Sequence, residues 1–93
     1  MKTIDELVGL LQEALQQPDG LAQNIRQFQD DVWHRSAAED NAMWDVLADL
    51  AYDLEYFVPD ETMRQEDPSY YGPDRAVREI RDALEKLSKL RRP

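Results

Sequence analysis

The stretch WDVLADLAYDLE, residues 44–55, decides how this chain is read. Its leucines Leu47, Leu50 and Leu54 recur at spacings of three and four, the signature of one buried helix face. Followed outward, the same stripe takes in Met43 and Phe57 and stops at Pro59, because the residue before a proline is pushed out of the helical region. Ser36 with Glu39 forms a capping box at the other end, so a helix over about residues 37–57 is expected. Asp45, Asp49 and Asp53 lie four apart inside it. Residues at that spacing share a face, and like charges there cost about 0.2–0.5 kcal/mol per pair. No lysine or arginine lies between Arg35 and Arg64 to relieve them. At about 100° per residue the three acids, with Tyr52 and Tyr56 among them, point away from the apolar stripe.

The rest of the chain repeats the helical pattern. Thr3 and Glu6 make a capping box ahead of Ile4, Leu7, Val8, Leu11 and Leu15, a first helix over 4–17 that ends before Pro18-Asp19-Gly20. Leu21, Ile25, Phe28 and Val32 form the stripe of a second helix that runs to about His34. After Pro73, a residue suited to a first helical turn, Val77, Ile80, Leu84, Leu87 and Leu90 line the last helix. Its acids precede bases by four in Asp74–Arg78, Asp82–Lys86 and Glu85–Lys89, pairs that favour the helix itself. Between the third and last helices, PDETMRQEDPSYYGP (59–73) has three prolines, a glycine and no sustained period, and reads as a long acidic loop. Four apolar stripes with no competing strand pattern predict one all-α domain over residues 1–93, an antiparallel four-helix bundle.

Composition narrows the function. With 42% hydrophobic residues and two tryptophans, the chain has the material for a core despite its charge. It has no cysteine, which excludes disulfides and thiolate metal sites. The N-terminus lacks the basic region and continuous apolar core of a signal peptide, and no window reaches the length of a membrane span, so a soluble, cytoplasmic protein is expected. Residues 1–73 carry sixteen acids against four bases, and residues 74–93 four acids against seven bases. A body this acidic repels nucleic acid and anionic membranes and attracts basic proteins.

Catalytic patterns are missing. His34 is the only histidine, and the three glycines sit singly, with no phosphate loop, nucleophile elbow, His-Glu-x-x-His element, EF-hand or acyl-carrier attachment site. The one enzymatic alternative is metal-assisted phosphohydrolysis, with Mg²⁺ held by Asp45, Asp49 and Asp53 and by facing acids such as Glu13, Asp30 or Asp31. These acids have no ligand-like spacing, so no enzyme, cofactor or metal is expected. A bland reading of the ridge is a solvated helix face with part-buried tyrosines. Against it stands the count over residues 36–63, eight acids and no base. Together with Asp60, Glu61, Glu66, Asp67, Tyr70 and Tyr71 of the loop, the ridge makes an aromatic and acidic surface suited to a cationic partner.

The order DLEYFVPD (53–60), a long acidic loop with Tyr70-Tyr71, and RAVREIRDALEKL (75–87) resembles the colicin D immunity protein-like family, the bacterial self-protective colicin-like immunity proteins. The resemblance covers roughly residues 44–90, and the first two helices are compatible with it. It implies a non-catalytic four-helix bundle that binds, as a 1:1 heterodimer, the basic nuclease domain of a cognate tRNA-cleaving toxin, its carboxylates standing where RNA phosphates would lie. By position, Glu55 and Asp60 match family acids that face the toxin's catalytic centre, and Val58 departs from the pattern, which has an acid there. On the helical projection Glu55 falls about 110° from the middle of the aspartate ridge, so one patch or two is left open. An acidic helical adaptor for some other basic protein is the alternative to inhibition.

Overall fold

The computed structural model describes residues 3–34 and 42–91. The described chain is all-α. Helices α1 (Ile4–Gln16), α2 (Leu21–Trp33), α3 (Ala42–Asp53), α4 (Glu61–Arg64) and α5 (Pro73–Arg91) are joined by 3₁₀ turns at Pro18–Gly20 and Leu54–Tyr56. The Ser36–Glu39 capping box and the expected start of the third helix at residue 37 lie outside the described residues.

Local sequence explains each boundary. Thr3 caps α1 as expected: its Oγ1 accepts from the Glu6 amide at 3.2 Å, and the Glu6 carboxylate accepts in return from the Thr3 amide at 3.2 Å. Pro73 is the first residue of α5, where its missing N–H costs nothing. At its far end α3 tightens into the 3₁₀ turn Leu54–Tyr56, and Phe57 is already extended ahead of Pro59.

One core unites the long helices: α1 packs on α2 and α5, and α3 on α5 and α2. Leu7 and Leu11 of α1, all four expected residues of α2 (Leu21, Ile25, Phe28, Val32), Leu47, Leu50 and Leu54 around α3, and Ile80 and Leu87 of α5 are buried. Two of these stripes keep their expected centre and differ by one position at the edges. In α3 the buried arc includes Trp44 (1% exposed) and Ala51, while Met43 is only partly buried. In α5 it includes Ala76 and Ala83, with Val77 and Leu84 partly buried and Leu90 exposed. Alanines have no leverage in an apolar-stripe count, yet facing inward they let helix backbones come closer than leucines would.

The segment expected to be an irregular loop is built. Phe57 and Tyr71 form an isolated parallel bridge, in which the Val58 amide donates to the Tyr71 carbonyl and the Tyr71 amide to the Tyr56 carbonyl, each at 2.9 Å. Their rings stack with centroids 6.5 Å apart. Between these ends stands α4, with Asp60 as its N-cap: Asp60 Oδ1 accepts from the amides of Thr62 at 2.8 Å and Met63 at 3.4 Å. Arg64 then reaches back to donate from Nη1 to the Val58 carbonyl at 3.1 Å. It lies over Gly72, where a Cβ would stand 2.5 Å from that same nitrogen, so a glycine keeps the passage open for the arginine.

Candidate partner-binding site

Asp45 and Asp49 are exposed on α3, and Asp53 is half-buried at its end. Among the described residues, none of the three makes an ion pair. Beside them Tyr52 is 65% and Tyr56 47% exposed, the two tyrosines that the helical projection puts on the same face. The aspect expected of the ridge therefore holds for Asp45 and Asp49, while Asp53 turns toward α5. A helix flanked by two neighbours has a wide buried arc, and α3 is flanked by α2 and α5, so a residue at the edge of the stripe is covered.

Asp49 and Asp53 line a groove of about 260 Å³ between α3 and α5, floored by Val46, Leu50 and Ala83. From α5 it receives Arg75, Glu79, Asp82 and Lys86, so four acids face two bases. The Asp53 carboxyl is held above the ordinary carboxylate range, first by burial, then by a hydrogen bond with Glu79 and by that neighbour's charge, with Arg75 opposing. Arg75 donates from Nε to Glu79 Oε1 at 3.5 Å and holds its guanidinium 4.9 Å from the centre of the Tyr71 ring. The Tyr71 hydroxyl donates to the Asp53 carbonyl at 2.7 Å. Burial, followed by the charges of Asp53 and Glu79, pushes this phenol well above its usual range.

The other residues expected at the site divide. Tyr71 is a core residue, 7% exposed, and serves as the latch of its segment and not as a surface anchor. Tyr70 is half-buried. Asp60 spends Oδ1 on capping α4, and Asp67 Oδ1 accepts from the Ser69 amide at 2.8 Å to shape a turn, so both acids have local structural work. Glu61 and Glu66 are exposed. Glu55 lines a separate groove, of about 280 Å³, with Arg26, Gln29 and Trp33 of α2 and with Phe57 and Pro59. This groove shares no lining residue with the α3–α5 groove, so Glu55 and the Asp49–Asp53 end of the ridge line different hollows. Tyr56 borders a third hollow, of about 320 Å³, with Asp53, Pro68, Ser69, Tyr71 and Arg75.

Arg75 and Glu79 are the members of this neighbourhood that sequence reading passed over. They form an i,i+4 pair in the less favoured order, base before acid. Of the pairs expected along α5, Glu85–Lys89 forms at 3.4 Å, and among the described residues Asp74–Arg78 and Asp82–Lys86 do not. His34 ends α2 in an exposed position, its Nδ1 2.6 Å from the Asp30 carbonyl. Among the described residues no group of three or more histidine, aspartate or glutamate side chains is placed to hold a metal ion, and no helix is long and apolar enough to cross a membrane. Comparison with protein-family models, with curated proteins and with solved structures gave no significant match.

Proposed function

We propose that this chain is an immunity-type inhibitor that captures the basic active site of a tRNA-cleaving nuclease toxin on the acidic face of α3. In this reading α1, α2, α3 and α5 form an antiparallel four-helix bundle, the acid-rich segment carrying α4 flanks its binding face, and a cytoplasmic 1:1 complex is the inhibited state. The observation that carries it is the exposure of Asp45 and Asp49, without ion-pair partners among the described residues, beside Tyr52 and Tyr56. Two like charges four apart work against an isolated helix by a few tenths of a kcal/mol, roughly 0.2–0.5, and a partner's cations reverse the sign of that term. A nuclease that grips an RNA backbone presents lysines and arginines, which such a face can occupy in place of phosphates.

Glu55 enters through the family resemblance, and Asp60 both through it and as an acid of the segment carrying α4. Both cap bonds of Asp60 go to Oδ1, which leaves Oδ2 to face a partner. Glu55 stands beside the exposed Trp33, an aromatic anchor of the kind that carries binding energy at interfaces. A toxin domain that reached both patches would wrap the 3₁₀ turn Leu54–Tyr56.

The test is co-purification with the C-terminal domain of the protein encoded by the neighbouring gene, followed by a tRNA cleavage assay with and without this protein. Stoichiometric protection of tRNA is expected. A stable complex with a basic protein that cleaves no RNA would replace inhibition by the adaptor reading, and Mg²⁺-dependent phosphate release by this chain alone would replace both.

A further inference from the structure

We infer that the outer face of α3 selects arginine over lysine, with Tyr52 and Tyr56 as the selecting residues and a guanidinium-bearing segment of a basic protein as the occupant. The inference rests on the reading of this face as the partner-binding one. Asp45 and Asp49 supply a sign but no selectivity, because a carboxylate attracts an ammonium and a guanidinium alike. The tyrosines differ in this respect. Tyr52, on α3, is 65% exposed and Tyr56, in the 3₁₀ turn that continues it, 47%. A planar, weakly hydrated guanidinium can stack on such a ring while its N–H groups reach a carboxylate, whereas a compact, strongly hydrated ammonium gives up water to do so.

The molecule already contains this arrangement. At the edge of the same face, Arg75 lies 4.9 Å from the centre of the Tyr71 ring and donates to Glu79 at 3.5 Å. There one tyrosine, one arginine and one carboxylate satisfy each other internally. On α3 itself Asp49 and Tyr52 are exposed three residues apart, and among the described residues neither makes an ion pair or a ring contact with an arginine. An arginine brought by a partner would complete the same set there.

The probes are octa-arginine and octa-lysine peptides, titrated by calorimetry into the full chain at low and at physiological salt. Wild-type protein is expected to bind octa-arginine about three- to tenfold more tightly than octa-lysine. In Tyr52→Leu/Tyr56→Leu the ratio should fall toward one while the octa-lysine affinity stays, and in Asp45→Asn/Asp49→Asn both affinities should drop together. Far-UV dichroism and a melt confirm the fold of each variant, and Tyr52→Leu alone, at the more exposed position, replaces any double variant that melts without cooperativity. Equal affinities in wild type, or a ratio that survives loss of the tyrosines, overturns the inference. Because these probes contain no nuclease, a failed tRNA protection assay leaves the selectivity standing, and failed selectivity leaves the protection assay to decide the nuclease reading.

Discussion

Asp53 stands where two demands on α3 meet, as the last acid of the exposed ridge and as a flank residue pressed against α5. Its folded pKa lies above the ordinary value of 3.8, with burial as the largest cause and the Glu79 carboxyl next. For a carboxyl raised on folding, the favourable contribution is fully present below the unfolded pKa and is lost as pH rises through the folded one. At neutral pH the ionised Asp53 carboxylate therefore works against the native state. Asp53→Asn, which keeps the shape and a hydrogen-bonding group, is expected to stabilise the protein at pH 7 and to give no gain at pH 3. Urea unfolding of both proteins at the two pH values checks this. Asp60 is a residue of the opposite kind. As the α4 cap it should lose about 1 kcal/mol on replacement by Ala and almost nothing on replacement by Asn, which caps equally well without the charge. Thermal melts of the two variants distinguish the capping role from a purely surface one, and identical midpoints would remove it.

At the scale of elements, the long helices were legible because their signals are strong and local. The spacings of four, three and four between Leu21, Ile25, Phe28 and Val32 brought the correct face of α2 inward, and the Thr3 capping box fixed the start of α1 to the residue and Pro73 that of α5 to within one. The segment from Phe57 to Gly72 was not legible, since what orders it is not periodic. Its organisation depends on Tyr71 reaching Asp53, Arg64 reaching Val58 and a glycine leaving room for that arginine, contacts between residues far apart in sequence or without a pattern. The same facts explain why Tyr71 resembles a surface anchor in the sequence, next to the half-buried Tyr70, and is a latch in the fold. Tyr71→Phe removes one buried hydroxyl donor and should cost about 0.5–1.5 kcal/mol. The loss should be concentrated in this segment, seen as faster amide exchange at Val58 and Tyr71 than in α1 or α2. Uniform exchange rates in mutant and wild type would show that the hydroxyl bond does not hold it.

Across the whole molecule, charge is segregated. Along the chain, residues 42–72 carry eight acids and one base, while α5 carries most of the cations and brings Arg75 and Lys86 to the groove beside Asp49 and Asp53. Sequence alone exposed this asymmetry and the ridge, but it could not separate Glu55 from Asp49, because which neighbour covers which flank of α3 is set by packing with α2 and α5. An acidic face of this kind draws a basic partner through long-range attraction, which sets the rate of encounter and fades as salt screens it. The most direct measurement is the association rate of the cognate nuclease domain with wild type and with Asp45→Asn/Asp49→Asn at low and at physiological salt. The account predicts a fall of about tenfold or more at low salt, a smaller difference at physiological salt, and a melting temperature that does not drop. An association rate that is the same for both proteins at low salt would contradict it.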